Sequence, residues 1–226
     1  MILLNRIISL LKNEEFNLDK RIPNSYLFLF FLSRLTRLFI GCFKFMTIKR
    51  VFVHSSAIIK SKNNIKFGSN LSIDRHCYID ALSVDGIKFG DNVSIGKYTI
   101  IECTGSLKEI GKGMIVGNNV GLGIKCNYGC AGGVIIGDDT IIGSYVSFHS
   151  ENHIFNDIQI PIRKQGVTHK GITIGNNCWI GAKTTFLDGS FLGSGCVVAA
   201  GSIVRGVFPD NVVIAGVPAK IIKHRN

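Results

Sequence analysis

The sequence predicts an all-β fold, a parallel β-helix of about six coils preceded by a helical N-terminal extension. A bulky apolar residue recurs at every sixth position in one long stretch, at Ile174, Ile180, Phe186, Leu192, Val198 and Val204. Glycine or alanine directly follows most of these residues, and a small residue stands four positions after most of them. A period of six fits neither a helix nor a half-buried strand, so the chain must turn a corner every six residues. Three such sides close one triangular coil of about eighteen residues.

The same spacing extends toward the N-terminus. It predicts inward-facing triplets at Phe67, Ile73 and Ile79, at Phe89, Ile95 and Ile101, at Ile110, Val116 and Leu122, and at Ile136, Ile142 and Phe148. Residues between triplets are expected to leave the prism as loops, the longest of which, 149–173, holds three of the six histidines. A shorter loop, GIKCNYGCAGG after Leu122, is expected to rise beside it. Function is therefore expected where these two loops meet.

The N-terminal extension, residues 1–50, is predicted to contain two helices, at 1–11 and 26–46. The second is densely apolar, but Arg34, Arg37 and Lys44 make it too charged for a typical membrane span. Its two arginines share one face, and the opposite face carries Leu27, Phe30, Phe31, Leu35 and Leu38. Such a helix suits a membrane interface, but it equally suits the open end of a β-helix or a sister subunit.

The formal net charge of +11 favours anionic partners, either nucleic acid, acidic lipid or a phosphate-rich cofactor. Nucleic acid is disfavoured because the basic residues are scattered and no recognition motif accompanies them. The seven cysteines show no paired CxxC spacing. Cys77, Cys178 and Cys196 occupy small-residue positions of the hexad and are expected to be buried free thiols. No nearby cysteine or histidine completes a four-ligand set with Cys126 and Cys130, so no metal is expected. The unpaired cysteines favour a reducing, cytoplasmic location.

Specific motifs carry a resemblance to a known family. The histidine loop, the stretch NNCWIGAKTTFLDGSFLGSGCVVAAGSIVR and the closing NVVIAGVPAKIIKHR resemble the hexapeptide-repeat acyltransferases of left-handed β-helix fold. Within that superfamily the sequence is similar to maltose and galactoside O-acetyltransferases and to O-acetyltransferases of bacterial surface-polysaccharide loci. The resemblance covers residues 67–225. It implies the left hand of the coil, transfer of an acetyl group from acetyl-CoA to a sugar hydroxyl, and a homotrimer with active sites between neighbouring prisms.

The resemblance also implies roles for individual residues. His153, in SENHIF, matches the general base, with His149 as the first alternative, and Glu151 or a main-chain carbonyl would hold its tautomer. The N–H of Ala182 would stabilise an oxyanion. The other implied acetyl-CoA contacts are Trp179, Gly181, Ala200, Arg205, Lys220 and Lys223. The implied acceptor contacts are Lys125, Asn127 and His149.

The implied organisation is a β-helix domain, 51–208, carrying loop 149–173 and followed by a tail, 209–226, that contacts CoA. Lys125 stands where the maltose and galactoside enzymes have an asparagine, so a different acceptor is expected. The basic, apolar helix would suit a lipid-linked saccharide at the inner face of the cytoplasmic membrane.

Three other functions remain open. The first is N-acetylation of a nucleotide-linked amino sugar, since the same histidine would serve an amine acceptor. The chain also has enough histidines for a γ-type carbonic anhydrase, with zinc held by three of His76, His149, His153 and His169. A β-helix without catalysis would serve as an assembly module.

Overall fold

Three sheets form the sides of a triangular prism in the computed structural model, which describes residues 17–225. Strands are numbered in chain order. Sheet A contains β1 (Val51–Val53), β4 (Leu71–Ile73), β7 (Ser94–Ile95), β10 (Gly121–Leu122), β13 (Ile141–Ile142), β18 (Trp179–Ile180), β21 (Val197–Val198), β24 (Val212–Gly216) and β25 (Ala219–His224). Sheet B contains β2 (Ile58–Lys60), β5 (Tyr78–Asp80), β8 (Ile100–Glu102), β11 (Asn127–Gly129), β14 (Ser147–His149), β19 (Thr185–Leu187) and β22 (Ile203–Val204). Sheet C contains β3 (Ile65–Phe67), β6 (Ile87–Phe89), β9 (Met114–Val116), β12 (Val134–Ile136), β17 (Ile172–Ile174), β20 (Phe191–Leu192) and β23 (Val207–Phe208).

Each coil visits sheets A, B and C in turn, and every strand pairs with the equivalent strand of the next coil in parallel. The left-handed parallel β-helix predicted from the sequence is confirmed. The described chain closes seven coils, because the first begins at β1 and not near Phe67. Within the three sheets of the described chain, β25 is the one antiparallel strand; it folds back on β24, which itself continues sheet A beyond residue 208.

The hexad residues fill the prism. All six of the long stretch are buried, as predicted: Ile174, Ile180, Phe186, Leu192, Val198 and Val204. On sheet B the inward side chains stack in register, with the Phe148 ring centroid 4.9 Å from that of Tyr128 and 4.7 Å from that of Phe186. The small positions hold buried thiols at Cys77, Cys178 and Cys196, as expected.

One predicted triplet is wrong. Ile110 is 49% exposed, and Tyr128 completes the coil of Val116 and Leu122. The chain leaves the prism after β8 and returns at β9, so the hexad is reset there. The stretch expected to form a loop after Leu122 continues the coil, with Tyr128 buried inside the prism. A second loop does exist, but it spans residues 103–113.

One helix, α1 (Asn24–Phe45), covers the first coil. It confirms the second helix predicted in the extension; the first, 1–11, lies outside the described residues. The α1 backbone approaches β1 so closely that a side chain at Gly41 would collide with the carbonyl oxygen of Val51. Leu27 is buried, so the free apolar face is not the one expected. The helix covers the open end of the prism, one of the two arrangements that the sequence left open.

Candidate active site

The histidine loop leaves the prism after β14 and re-enters at β17. A two-stranded antiparallel hairpin, β15 (Asn152–His153) with β16 (Val167–Thr168), joins its two limbs. The nearly buried carboxylate of Asp188 holds the limb of the loop that returns to the prism. It accepts hydrogen bonds from the N–H groups of Lys170 (2.9 Å) and Gly171 (2.8 Å) and from the Thr168 hydroxyl (3.1 Å). The returning limb of the histidine loop is therefore fixed to the coil that follows it.

Loop 103–113 is the partner that meets the histidine loop. The Nζ of Lys112 donates a hydrogen bond to the backbone oxygen of His169 at 3.2 Å, and Glu109 Oε1 lies 3.6 Å from His169 Nδ1. Sequence reasoning missed both Lys112 and Glu109 because it counted Ile110 as part of the coil. The signal that would have found them is the long gap in the hexad between Ile101 and Val116.

Glu151 contacts His169, although the resemblance paired it with His153. Its Oε2 lies 3.2 Å from His169 Nε2, and the His169 side chain is only 18% exposed. Both ring nitrogens of His169 thus face a carboxylate, one from each loop. A histidine held between these two carboxylates ties the two loops together.

The other two histidines of the loop are free. His153 is exposed on β15, and its ring has no hydrogen bond or ion pair to any residue from 17 to 225. His149 is exposed on the outer face of sheet B, beside Gly129 of the neighbouring strand. Asn127, at the other end of that strand, points to the same outer face. The structure therefore brings two of the three predicted acceptor residues, Asn127 and His149, onto one surface.

Lys125 lies at the corner between sheets A and B, called here the AB corner. Its backbone adopts a left-handed conformation with φ of 55°. Its Nζ lies 5.8 Å from the ring centroid of Tyr98 and 5.3 Å from that of Tyr145, so the ammonium sits between two exposed aromatic rings. This arrangement gives Lys125 cation–π contacts and places it at the edge of the outer face that carries Asn127.

The AB corner also holds the predicted oxyanion residue. Gly181 packs so tightly on the next coil that a side chain there would collide with Ala200. The N–H of Ala182 donates to no other atom in the described part of the chain, while its carbonyl accepts a hydrogen bond from Gly201 at 2.9 Å. An unpaired N–H is what an oxyanion donor requires. The N–H of Ala200 is equally unpaired, so the corner geometry supplies this property on successive coils.

The remaining predicted cofactor residues lie on sheet A, except Arg205, which lies at the corner between sheets B and C. On sheet A, Trp179 is exposed and aligns through β21 and β24 with Lys223. Lys220 is exposed on β25, and Arg205 is exposed directly after β22 on the sheet B side. The AB corner is convex, and a depression of about 440 Å³ lies on sheet A, lined by Val197, Val213, Lys223, His224 and Arg225. One chain thus supplies the chemical groups without enclosing them.

The four candidate zinc ligands, His76, His149, His153 and His169, are spread over the described chain. No three His, Cys, Asp or Glu side chains within residues 17–225 come together as a metal site would require. His76 instead stacks on Tyr98, with ring centroids 5.0 Å apart. Within one chain the four candidate histidines are therefore not assembled around a common point.

Known proteins resemble both the sequence and the fold. Residues 171–206 match the family described as bacterial transferase hexapeptide (six repeats). The chain is 38% identical over 128 residues to a putative lipopolysaccharide biosynthesis O-acetyl transferase, WbbJ, of Escherichia coli, covering 53% of this chain and 65% of the relative. It is 39% identical over 94 residues to the galactoside O-acetyltransferase of the same organism, covering 41% and 45%.

A probable acetyltransferase of Mycobacterium tuberculosis is 37% identical over 90 residues, covering 40% of this chain and 30% of that protein. The chain thus spans between about a third and two thirds of the length of these relatives. Among solved structures, a mutant of AntD, an N-acyltransferase from Bacillus cereus in complex with dTDP and coenzyme A, superposes with a TM-score of 0.55 at 20% identity, covering 79% of this chain and 82% of that one. The resemblance inferred from the sequence is confirmed.

Proposed function

Because the chain carries the hexapeptide repeat of bacterial transferases, we propose that it is an acetyl-CoA-dependent O-acetyltransferase that modifies a sugar hydroxyl. One observation carries the proposal. The free imidazole of His153 stands on a loop that Asp188 anchors beside the segment matched by the transferase family. The names of the relatives support a saccharide acceptor, and the lipopolysaccharide biosynthesis in the name of WbbJ supports a place in surface-polysaccharide synthesis. We place this enzyme in the cytoplasm.

The proposed reaction is direct transfer. The acceptor hydroxyl attacks the thioester carbonyl while His153 removes its proton, since an alcohol is a poor nucleophile until deprotonated. The Ala182 N–H stabilises the negative charge that develops on the carbonyl oxygen. When the carbon–sulfur bond breaks, the departing sulfur takes the proton from the imidazolium. No acyl-enzyme is needed, and the described cysteines other than Cys42 are buried.

The residues at the AB corner fit acetyl-CoA. Lys220 and Lys223 would meet its phosphates as point charges, since both are exposed on one strand. Trp179, on the face shared with Lys223, would pack along the pantetheine arm together with Gly181 and Ala200. Arg205 would lie on the far side of the corner.

We also propose a homotrimer, because the convex corner needs a second wall. The tip of the histidine loop projects Phe155, Ile158 and Ile162, all more than half exposed. A neighbouring prism would bury these side chains and close the acceptor site against Asn127 and His149. Sedimentation equilibrium measures the assembly directly.

Thiol release from acetyl-CoA, followed with Ellman's reagent, tests the activity. The acceptors are neutral sugars, acidic sugars, nucleotide-linked amino sugars and saccharides on a lipid carrier. We expect one hydroxyl acceptor to stimulate release and His153→Ala to lower kcat by roughly 10²–10⁴-fold with CoA binding intact. His76→Ala is the matched control, since it removes an exposed histidine from another coil.

Other results would redirect the assignment. Full activity in His153→Ala would move the base to His149. Stimulation by amino sugars alone would indicate N-acetylation. If acetyl-CoA does not bind at all, the protein is not an acetyltransferase.

A further inference from the structure

An apolar stripe runs along the outer side of α1. It consists of six side chains spaced three or four residues apart, the last at the helix cap: Phe28, Leu32, Leu35, Phe39, Phe43 and Met46. Each is between 47% and 88% exposed. Residues at this spacing share one face of a helix, so they form a continuous strip pointing away from the prism. Contiguous apolar surface of this kind marks a site of interaction.

The inner face of α1 holds the stripe in this orientation. The guanidinium of Arg34 lies 3.5 Å from the ring centroid of Phe52. Arg37 donates hydrogen bonds to the hydroxyl of Ser72 (3.3 Å) and the backbone oxygen of Ile73 (3.1 Å). Rotating the helix to hide the stripe would break these contacts, so the stripe is a fixed feature of the surface.

The same end of the molecule carries nearly all of the net charge. Residues 20–73 contain ten Lys and Arg and no Asp or Glu, against a net charge of +11 for the whole chain. The remaining residues are therefore close to neutral. Among the basic side chains here, Lys20, Arg50 and Lys66 are exposed.

We propose that this end of the protein docks on an anionic phospholipid bilayer, with α1 lying in the interface and its stripe inserted among the acyl chains. An apolar helix face and a polybasic patch are the two signals that together hold a protein on a membrane. A second copy fits this surface poorly, because two copies would bring two strongly positive ends into contact.

A spanning orientation is also disfavoured. At 22 residues and a mean hydropathy of 1.5, α1 is long and apolar enough to cross a bilayer. Arg34 and Arg37 lie at its middle, however. A spanning orientation would break their contacts with the β-helix and place both side chains in hydrocarbon. Lying flat, α1 keeps both contacts. The histidine loop leaves the fifth coil, so it would stand roughly 20 Å from the helix-bearing end.

Vesicle flotation with the full-length protein tests the docking. The vesicles are phosphatidylcholine alone or phosphatidylcholine with phosphatidylglycerol. We expect flotation only with the anionic vesicles, and a loss of at least ~10-fold in partitioning for Phe39→Ser/Phe43→Ser. Val84→Ser/Val207→Ser is the matched control, because both valines are 74% exposed and lie away from the stripe.

A second set of variants tests the charge. Lys20→Gln, Arg50→Gln and Lys66→Gln should each weaken binding about fivefold, and added salt should have the same direction of effect. Lys108→Gln, exposed outside the basic stretch, should leave binding unchanged.

Four results would overturn the proposal. They are failure of the unmodified protein to float, equal flotation of the stripe variant, resistance to alkaline carbonate extraction, and loss of oligomers without loss of flotation in the stripe variant. The last would make the stripe a contact between copies. Thiol release without vesicles reports the proposed acetyl transfer separately, so either proposal can fail alone.

Discussion

Phe148 and Phe155 are seven residues apart, yet they belong to two different kinds of structure. Phe148 is buried in the prism between two stacked rings, whereas Phe155 is exposed on the histidine loop. The prism repeats one environment in every coil, so packing alone decides which residues it accepts. The two loops repeat nothing, and they hold the histidines and carboxylates. The residues that stabilise the prism by packing are therefore separate from the loop residues Glu109, Glu151, His153 and His169.

The largest expected effect is on the prism. Phe148→Ala removes a ring packed on both faces and should lower the free energy of unfolding by about 3–5 kcal/mol. Phe155→Ala should change it by no more than about 0.5 kcal/mol, because the side chain is exposed. Denaturant unfolding followed by circular dichroism, at one protein concentration, measures both. Equal losses in the two variants would mean that the rings of sheet B do not carry the stability.

A smaller effect is expected from the contact between Glu151 and His169. Glu151→Ala or His169→Ala should lower kcat about tenfold, since each removes the contact that joins the two limbs of the histidine loop, while KM for acetyl-CoA stays the same. Glu151→Gln should lose less, because its amide oxygen still accepts a hydrogen bond.

The double variant Glu151→Ala/His169→Ala distinguishes a shared positioning role from two independent losses of structure. If Glu151 and His169 act as a pair, removing both should cost little more than removing one. Additive losses would instead show that the residues act independently. A raised KM for acetyl-CoA would place them in the cofactor groove.

The fold could be predicted because the hexad is a direct consequence of the triangular cross-section. The prediction failed where a residue with a polar group occupied a hexad position. Tyr128 faces the interior with its hydroxyl buried and unpaired, so a residue that sequence reasoning discounts fills a hexad position. Ile110, which looks like a core residue, lies in a loop.

The contacts at the candidate site could not be predicted to the same extent. The positions of Ala182 and Ala200 follow from the period, and the structure places both at the AB corner. The partner of Glu151 does not follow from any period, because it depends on how the two limbs of the histidine loop fold against each other. The arginines of α1 show the same limit. Their shared face was predictable, but its contact with Phe52 and Ser72 required the packing of the helix on the first coil.

The smallest expected effect distinguishes thiols inside the prism from one outside it. Burial raises the pKa of Cys77 to about 11 and that of Cys178 to about 11, so at pH 8 only about one thiol in a thousand of each is ionised. Cys42, on α1, is only partly covered. Ellman's reagent should therefore label Cys42 first in the native protein and all seven cysteines after denaturation.

The same burial predicts how stability depends on pH. The two thiols are neutral in the folded state, so their contribution is complete below about pH 9 and is lost as the pH rises toward about 11. Cys77→Ser/Cys178→Ser should flatten this loss in an unfolding series between those pH values, whereas Cys42→Ser should leave it unchanged. Rapid native labelling of Cys77 or Cys178 at pH 8 would contradict the packing of the hexad, because the reagent reaches these thiols only if the coils separate.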